Sequence, residues 1–289
     1  MSWRTVVISN RCKLDFSRGY MVVRGEETKR VFLDEVATLI VENTAVSLTG
    51  CLLSQLVEKK IKVVFCDEKR TPVSELVPYY GSHDCSAKIK MQFGWDNGIK
   101  GQVWTEIVRE KIKNQAKFLE QIEKQSQAQL LSGYLCEIEF SDRTNREGHA
   151  AKVYFNALFG LDFTRGADNA VNAALNYGYG LVLSCFNREI CANGYLTQLG
   201  IFHDNMFNHF NLSCDLMEPF RIFIDRIVYD MMPATFDTEQ KRQLVMSMAN
   251  EIQIDGTKQT VGNAIRIYTK SVLNALNDSD VSQLKFAEI

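Results

Sequence analysis

At 289 residues the chain has room for a large core, and two domains are expected rather than one. Its apolar content is ordinary, no apolar run approaches a membrane span, and the first residues lack the apolar stretch of a secretory signal, so a cytoplasmic protein without membrane association is expected. A net charge of −2 weighs against a uniformly basic nucleic-acid binder, and eight cysteines without a C-x-x-C pair argue against a zinc knuckle or a disulfide framework and favour reduced thiols.

The first eighty residues read as strands. Residues 5–8 are β-branched, 13–16 alternate, and Ser17-Arg18-Gly19 turns into 20–23 as a hairpin. Two further strands, 28–32 and 38–41, are parted by Leu33-Asp34-Glu35. Thr49 then caps a helix with Leu52, Leu53, Leu56 and Val57 at helical spacing, and 61–66 returns to strand, closed by 67–72. The stretch 78–84 (Pro-Tyr-Tyr-Gly-Ser-His-Asp) reads as a connection. This predicts an α+β chain: a small β-rich domain over 1–83, a linker over 84–95, and a larger all-helical domain over 96–289.

Within the second domain Trp104, Ile107, Val108, Ile112 and Phe118 form the apolar stripe of one long helix, with 115–132 as its continuation or a second helix. Lys88, Lys90, Lys100, Arg109, Lys111, Lys113, Lys117 and Lys124 make this region basic, and their Glu neighbours fit a solvated helix face. Residues 141–145 offer several caps for a helix beginning near Arg146 and ended by Gly160; helices over 169–193, 215–229, 239–251 and 261–276 follow. Pro219 is tolerated in a first turn.

The candidate chemistry lies in two segments. Residues 199–221 carry His203, then Asp215 and Glu218 at i and i+3 on the expected helix, with Arg221 one step further; residues 145–151 add Glu147. Imidazole and carboxylates converging in this way suit Mg²⁺ or Mn²⁺, with an arginine beside an anion. Each residue also has a plain structural reading: Glu147 as a helix-start charge, His203 as a core histidine, Asp215 as a helix cap. On residue types alone the metal site and the structural set remain open alternatives.

Four motifs extend the reading. They are Glu147-Gly148-x-Ala150-Ala151-x-x-Tyr154-Phe155, Asn172-x-x-Leu175-x-Tyr177-x-Tyr179, Leu199-Gly200-x-x-His203 and Asp215-Leu216-x-Glu218-Pro219-Phe220-Arg221. With these, the whole chain resembles the CRISPR-associated adaptation endonucleases/integrases, and most nearly the type II-A subtype, whose effector is a single large nuclease. The resemblance implies that Glu147, His203 and Glu218 bind Mg²⁺ or Mn²⁺, that Asp215 is an accessory catalytic acid, and that His209 ranks well below His203 as a ligand. Arg146, Arg221 and Tyr177 are then candidate DNA contacts, with salt bridges to neighbouring acids the alternative for the two arginines. Tyr179 lies on the apolar stripe of its helix and is read as core. The reaction implied is insertion of protospacer DNA into a CRISPR repeat by attack of a 3′-hydroxyl. The implied partners are double-stranded DNA, a second copy of the chain joined through the β-rich domain, a small ferredoxin-like adaptation protein in a larger complex, and other adaptation proteins. A structure-selective DNA nuclease and a non-catalytic DNA-binding subunit are the rival readings.

Overall fold

The computed structural model describes residues 4–288 apart from 69, 71, 77 and 79–81. The chain divides into two compact units, Met1–Gly81 and Ser82–Ile289. Tyr79, Tyr80 and Gly81 of the expected connection lie outside the described residues.

The first unit follows the sequence pattern closely. Strands β1 (Arg4–Ile8), β2 (Lys13–Ser17), β3 (Tyr20–Arg24), β4 (Thr28–Phe32), β5 (Val36–Val41) and β6 (Ser47–Leu48) precede helix α1 (Gly50–Glu58), and β7 (Lys62–Cys66) and β8 (Pro72–Glu75) follow it. They form two four-stranded sheets, ordered β1-β5-β7-β8 and β4-β3-β2-β6. In the first, β1, β5 and β7 run parallel. That arrangement explains the nearly continuous apolar runs of β5 and β7, because a parallel strand is covered on both faces. Leu14 and Met21 of one sheet join Leu39 and Val63 of the other, with Leu52 and Leu56 of α1, in one core cluster. Thr49 caps α1 as expected, accepting from the Leu52 N–H at 3.3 Å.

The second unit is predominantly helical. It comprises α2 (Cys85–Phe93), α3 (Asn97–Gln121), α4 (Gln125–Leu135), α5 (Arg146–Phe159), α6 (Ala170–Ala192), α7 (Asn211–Met217), α8 (Arg221–Met231) and α9 (Thr238–Ser247). Strands β9 (Glu251–Ile254) and β10 (Thr257–Thr260), helix α10 (Val261–Asp278) and strand β11 (Ala287–Glu288) complete it. Helix α2 thus occupies much of the stretch read as a linker. The 25-residue α3 is the spine: Trp104, Ile107, Val108 and Ile112 are fully buried, and the helix packs on α4, α5, α8 and α10. Helix α6 packs on α7, α8, α9 and α10.

Two expectations change here. The helix expected over 215–229 is three pieces: α7, a 3-10 turn at Glu218–Phe220, and α8. Pro219 has no N–H to donate, so the α-helical ladder slips at that point although the backbone remains right-handed. The domain is also not wholly helical, because β10, β9 and β11 form a three-stranded sheet where the helix expected over 239–251 was to end. Among the described residues no helix is long and apolar enough to cross a membrane.

Candidate active site

Glu147, His203 and Glu218 come from three separate stretches of the second unit and all line one cavity of about 300 Å³. Glu147 stands in the first turn of α5. That turn is fixed by Asp142, whose carboxylate accepts the N–H groups of Arg146 (2.8 Å) and Glu147 (3.0 Å). Of the cap candidates over 141–145, Asp142 therefore does the capping, while Asn145 takes a left-handed conformation (φ 51°) and makes no side-chain cap bond.

His203 lies in the loop between α6 and α7 and is held from below by Asp215. The Asp215 carboxylate is fully buried and accepts backbone N–H groups from Ile201 (2.7 Å), Phe202 (3.1 Å) and His203 (3.0 Å). It also takes the imidazole at Nδ1, 2.6 Å away. With three backbone N–H groups already on its oxygens the carboxylate acts as an acceptor, so Nδ1 carries a proton, and in the neutral imidazole Nε2 keeps its lone pair. The hydrogen bond to Asp215 raises the His203 pKa against the opposing effect of burial. Asp215 sits inside α7, not before a helix, so the cap expected of it is replaced by a cap on the 201–203 turn. Gly200 makes this possible: a Cβ there would lie 2.2 Å from the His203 carbonyl oxygen and 2.7 Å from Asp215 Oδ2. Trp104 stacks on Phe202 at 4.4 Å between centroids and meets the His203 ring edge-on. His203 also lines a second cavity of about 300 Å³ with Phe93, Trp95, Lys100 and Phe202.

Glu218, 4 % exposed, sits on the 3-10 turn. Its Oε1 accepts from Arg221 Nε at 2.8 Å and its Oε2 from Lys111 Nζ at 2.5 Å. Burial works against its charge, but Arg221 and then Lys111 outweigh it and hold the carboxyl down at about 2. The same Lys111 ammonium donates to Glu147 Oε1, also at 2.5 Å. Burial opposes the charge on Lys111, and the two glutamates overcome it and raise its pKa. Arg221 lies over the Tyr179 ring at 4.7 Å, and Arg165 over the same ring at 5.4 Å. The Tyr179 hydroxyl donates to Asp225, whose carboxyl burial pushes up to about 6.

Among the described residues no three His, Cys, Asp or Glu side chains stand ready as a ligand set. The donor chemistry nevertheless fits a hard divalent cation: two carboxylates already share one cation, and an imidazole held at Nδ1 lines the same cavity. Other expected residues lie elsewhere. Tyr177 is 2 % exposed and packs on Phe236; Tyr179 is buried as expected and also lines the cavity. Arg146 pairs with Glu137 at 3.0 Å and lies over Tyr134, and His209 is exposed and does not line this cavity. Lys111 and Arg165 escaped the sequence reading as site residues. Lys111 had a signal, since it falls at i+4 from Ile107 and i+3 from Val108, on the buried stripe of α3.

Residues 5–247 match the family model described as CRISPR associated protein Cas1. The chain belongs to the Cas1 family. A Cas1 relative from Neisseria meningitidis, described as a CRISPR-associated endonuclease, is 34 % identical over 295 residues, covering all of this chain and 97 % of the relative. Among solved structures, a casposase bound to integration product shares the fold with a TM-score of 0.76 and 15 % identity, over 97 % of this chain and 92 % of that one. A chain of a Cas6-RT-Cas1–Cas2 complex also gives a TM-score of 0.76 at 16 % identity; the present chain spans 36 % of its length. At such identities the likeness is one of fold. Family membership makes this Cas1 chain an enzyme of the endonuclease/integrase type.

Proposed function

We propose that the chain is a metal-dependent DNA integrase that inserts protospacer DNA into a CRISPR repeat. The observation that carries this reading is the convergence of Glu147, His203 and Glu218 on one cavity, with the two carboxylates meeting at a single cation. Glu147, Glu218 and His203 hold Mg²⁺ or Mn²⁺, which when bound supplies Lewis acidity toward phosphate oxygens and a lower pKa for the attacking hydroxyl. Asp215 holds the His203 ring at Nδ1, so Nε2 of the neutral imidazole is the atom that would bind the metal. Arg221 and Arg165, which both face the cavity, pair with phosphate oxygens of the bound strand and orient the phosphorus for in-line attack. In the transfer a DNA 3′-hydroxyl loses its proton and forms a new P–O bond; the repeat's own 3′ oxygen leaves and takes up a proton. One phosphodiester replaces another, so no nucleotide triphosphate is consumed.

The same residues accept water in place of the 3′-hydroxyl, which makes hydrolysis the nearest alternative and fits the endonuclease description of the Neisseria relative. By the resemblance, and in keeping with the Cas2 named in the fold-related complex, the working unit is a homodimer with a small ferredoxin-like partner on double-stranded DNA in the cytoplasm. Arg146 contributes to the DNA track from outside the cavity. The type II-A assignment rests on the sequence resemblance.

A labelled short duplex incubated with a supercoiled repeat-bearing plasmid, with and without the partner, tests the reading. A joined, larger product is expected, and E147A, H203A and E218A should each lower its rate by about a hundredfold or more. Nicks without joining would favour the nuclease, and three variants joining at the normal rate would overturn the site.

A further inference from the structure

Glu147 and Glu218 reach the cavity from different elements, and the group that joins them is the Lys111 ammonium, 2.5 Å from Glu147 Oε1 and 2.5 Å from Glu218 Oε2. Lys111 is 7 % exposed and projects from the buried stripe of α3. A buried ammonium is sustained only by partners of opposite charge, and here those partners are the two carboxylates proposed as metal ligands. The acceptor atoms for Lys111 and the donor atoms for a divalent ion are therefore the same oxygens. A dication on those oxygens would face the ammonium across a poorly screened gap, and the two cations repel. A lysine arm has the freedom to withdraw. One helical turn further along α3, Gln115 lines the same cavity, and its Oε1 is buried without a hydrogen-bond partner. Lys111 lines that cavity too, so the acceptor shares it with the ammonium.

We propose that Lys111 is an exchangeable internal counter-ion, clasping the Glu147 and Glu218 carboxylates in the metal-free protein and leaving them when a divalent cation binds. This rests on the reading that these carboxylates and His203 hold the metal. The clasp has two consequences. It neutralises two like charges in a buried site while no metal is bound, which lets both carboxylates stay ionised there. It also sets metal affinity below what the bare carboxylates would give, because each binding event breaks two charge-assisted hydrogen bonds. A lysine with a purely structural role would act in the opposite sense, since its removal would only disorder the ligands.

The test is Mn²⁺ binding to the full chain, read from the electron paramagnetic resonance signal of free Mn²⁺, for the wild type, K111M, K111Q and H203A. The two Lys111 variants should bind one Mn²⁺ roughly tenfold more tightly than the wild type, and H203A more weakly. Equal or weaker binding by the Lys111 variants, with a wild-type site that depends on His203, overturns the clasp and leaves the metal reading intact. Absence of any His203-dependent site in the wild type overturns both. A wild-type measurement covers the case in which neither variant folds. In protein labelled with ¹⁵N at lysine Nζ, the protected ammonium signal of Lys111 should disappear or move on saturation with Mg²⁺. Its persistence unchanged at saturation overturns the proposal.

Discussion

Asp215 carries no exposed surface, yet four hydrogen-bond donors meet its two oxygens: three successive backbone N–H groups and the His203 imidazole. The side chain therefore fixes the loop and the His203 ring together. D215N keeps its size but turns an amide NH₂ toward groups that are themselves donors. Metal affinity is expected to fall by about 10–100-fold, with a lower melting temperature; an unchanged Mn²⁺ isotherm would refute the orienting role. G200A should give the same phenotype by a different route, since the added methyl overlaps the His203 carbonyl oxygen. Asp225 makes a separate prediction. Burial raises its folded pKa to about 6, above the ordinary 3.8, so the fold favours the protonated form. That contribution is complete below pH 3.8 and is lost as pH rises through 6. D225N keeps an acceptor for the Tyr179 hydroxyl and removes the charge. It should therefore raise stability by about 1–2 kcal/mol at pH 8 and leave it nearly unchanged at pH 4, as denaturant melts at the two pH values would report. The structure brings to one cavity three residues, Glu147, His203 and Glu218, that were singled out by their sequence motifs. Lys111 was not, because a lysine among many on a long helix reads as surface, and only the depth of the stripe it occupies says otherwise.

The placement of Glu147 depends on how α5 begins. Asp142 accepts the N–H groups of Arg146 and Glu147, and it stands three residues before the conventional cap position, which Asn145 fills in a left-handed conformation. D142A removes both acceptors at once and should cost about 1–2 kcal/mol in a denaturant melt. Since Glu147 is in the loosened turn, integration should also slow, whereas a cap remote from the site, such as Asp237 on α9, should affect stability alone. The sequence showed a cluster of caps before α5 but could not choose among them, because the choice depends on a chain reversal with positive φ at Ser141, Asp142 and Asn145. The β9–β10 hairpin is a different kind of omission. Its signal was present: Asp255-Gly256 lies between alternating residues, and both adopt the positive φ that a tight hairpin turn requires (53° and 71°). The sequence reading places helices over 239–251 and 261–276 and assigns no element between them. The 3-10 turn at Glu218–Phe220, by contrast, changes hydrogen bonding without changing the path of the chain, so Asp215, Glu218 and Arg221 still served as a group.

At the scale of the whole molecule, the change from a period of two to one of 3.6 near residue 80 was enough to read the two-unit α+β plan. The burial pattern that produces the period is set within each unit, by two sheets in the first and by α3 and α6 in the second. All the proposed ligands, Lys111 and the paired arginines belong to the second unit. Metal binding should therefore stabilise the chain unevenly. A ligand that binds the folded state alone adds about 2.7 kcal/mol at a hundredfold excess over its dissociation constant, and that gain belongs to the element set that forms the site. Peptide-resolved hydrogen exchange with and without saturating Mn²⁺ should show slower exchange in peptides from α3, the start of α5, the 200–204 loop and the 218–221 turn. Peptides from β1 to β8 should be unchanged, because none of their residues contributes a ligand. Protection confined to the first unit, or absent from the peptides holding Glu147, His203 and Glu218, would mean that the ion binds elsewhere. H203A should weaken the protection in all four segments together, since a single ion links them.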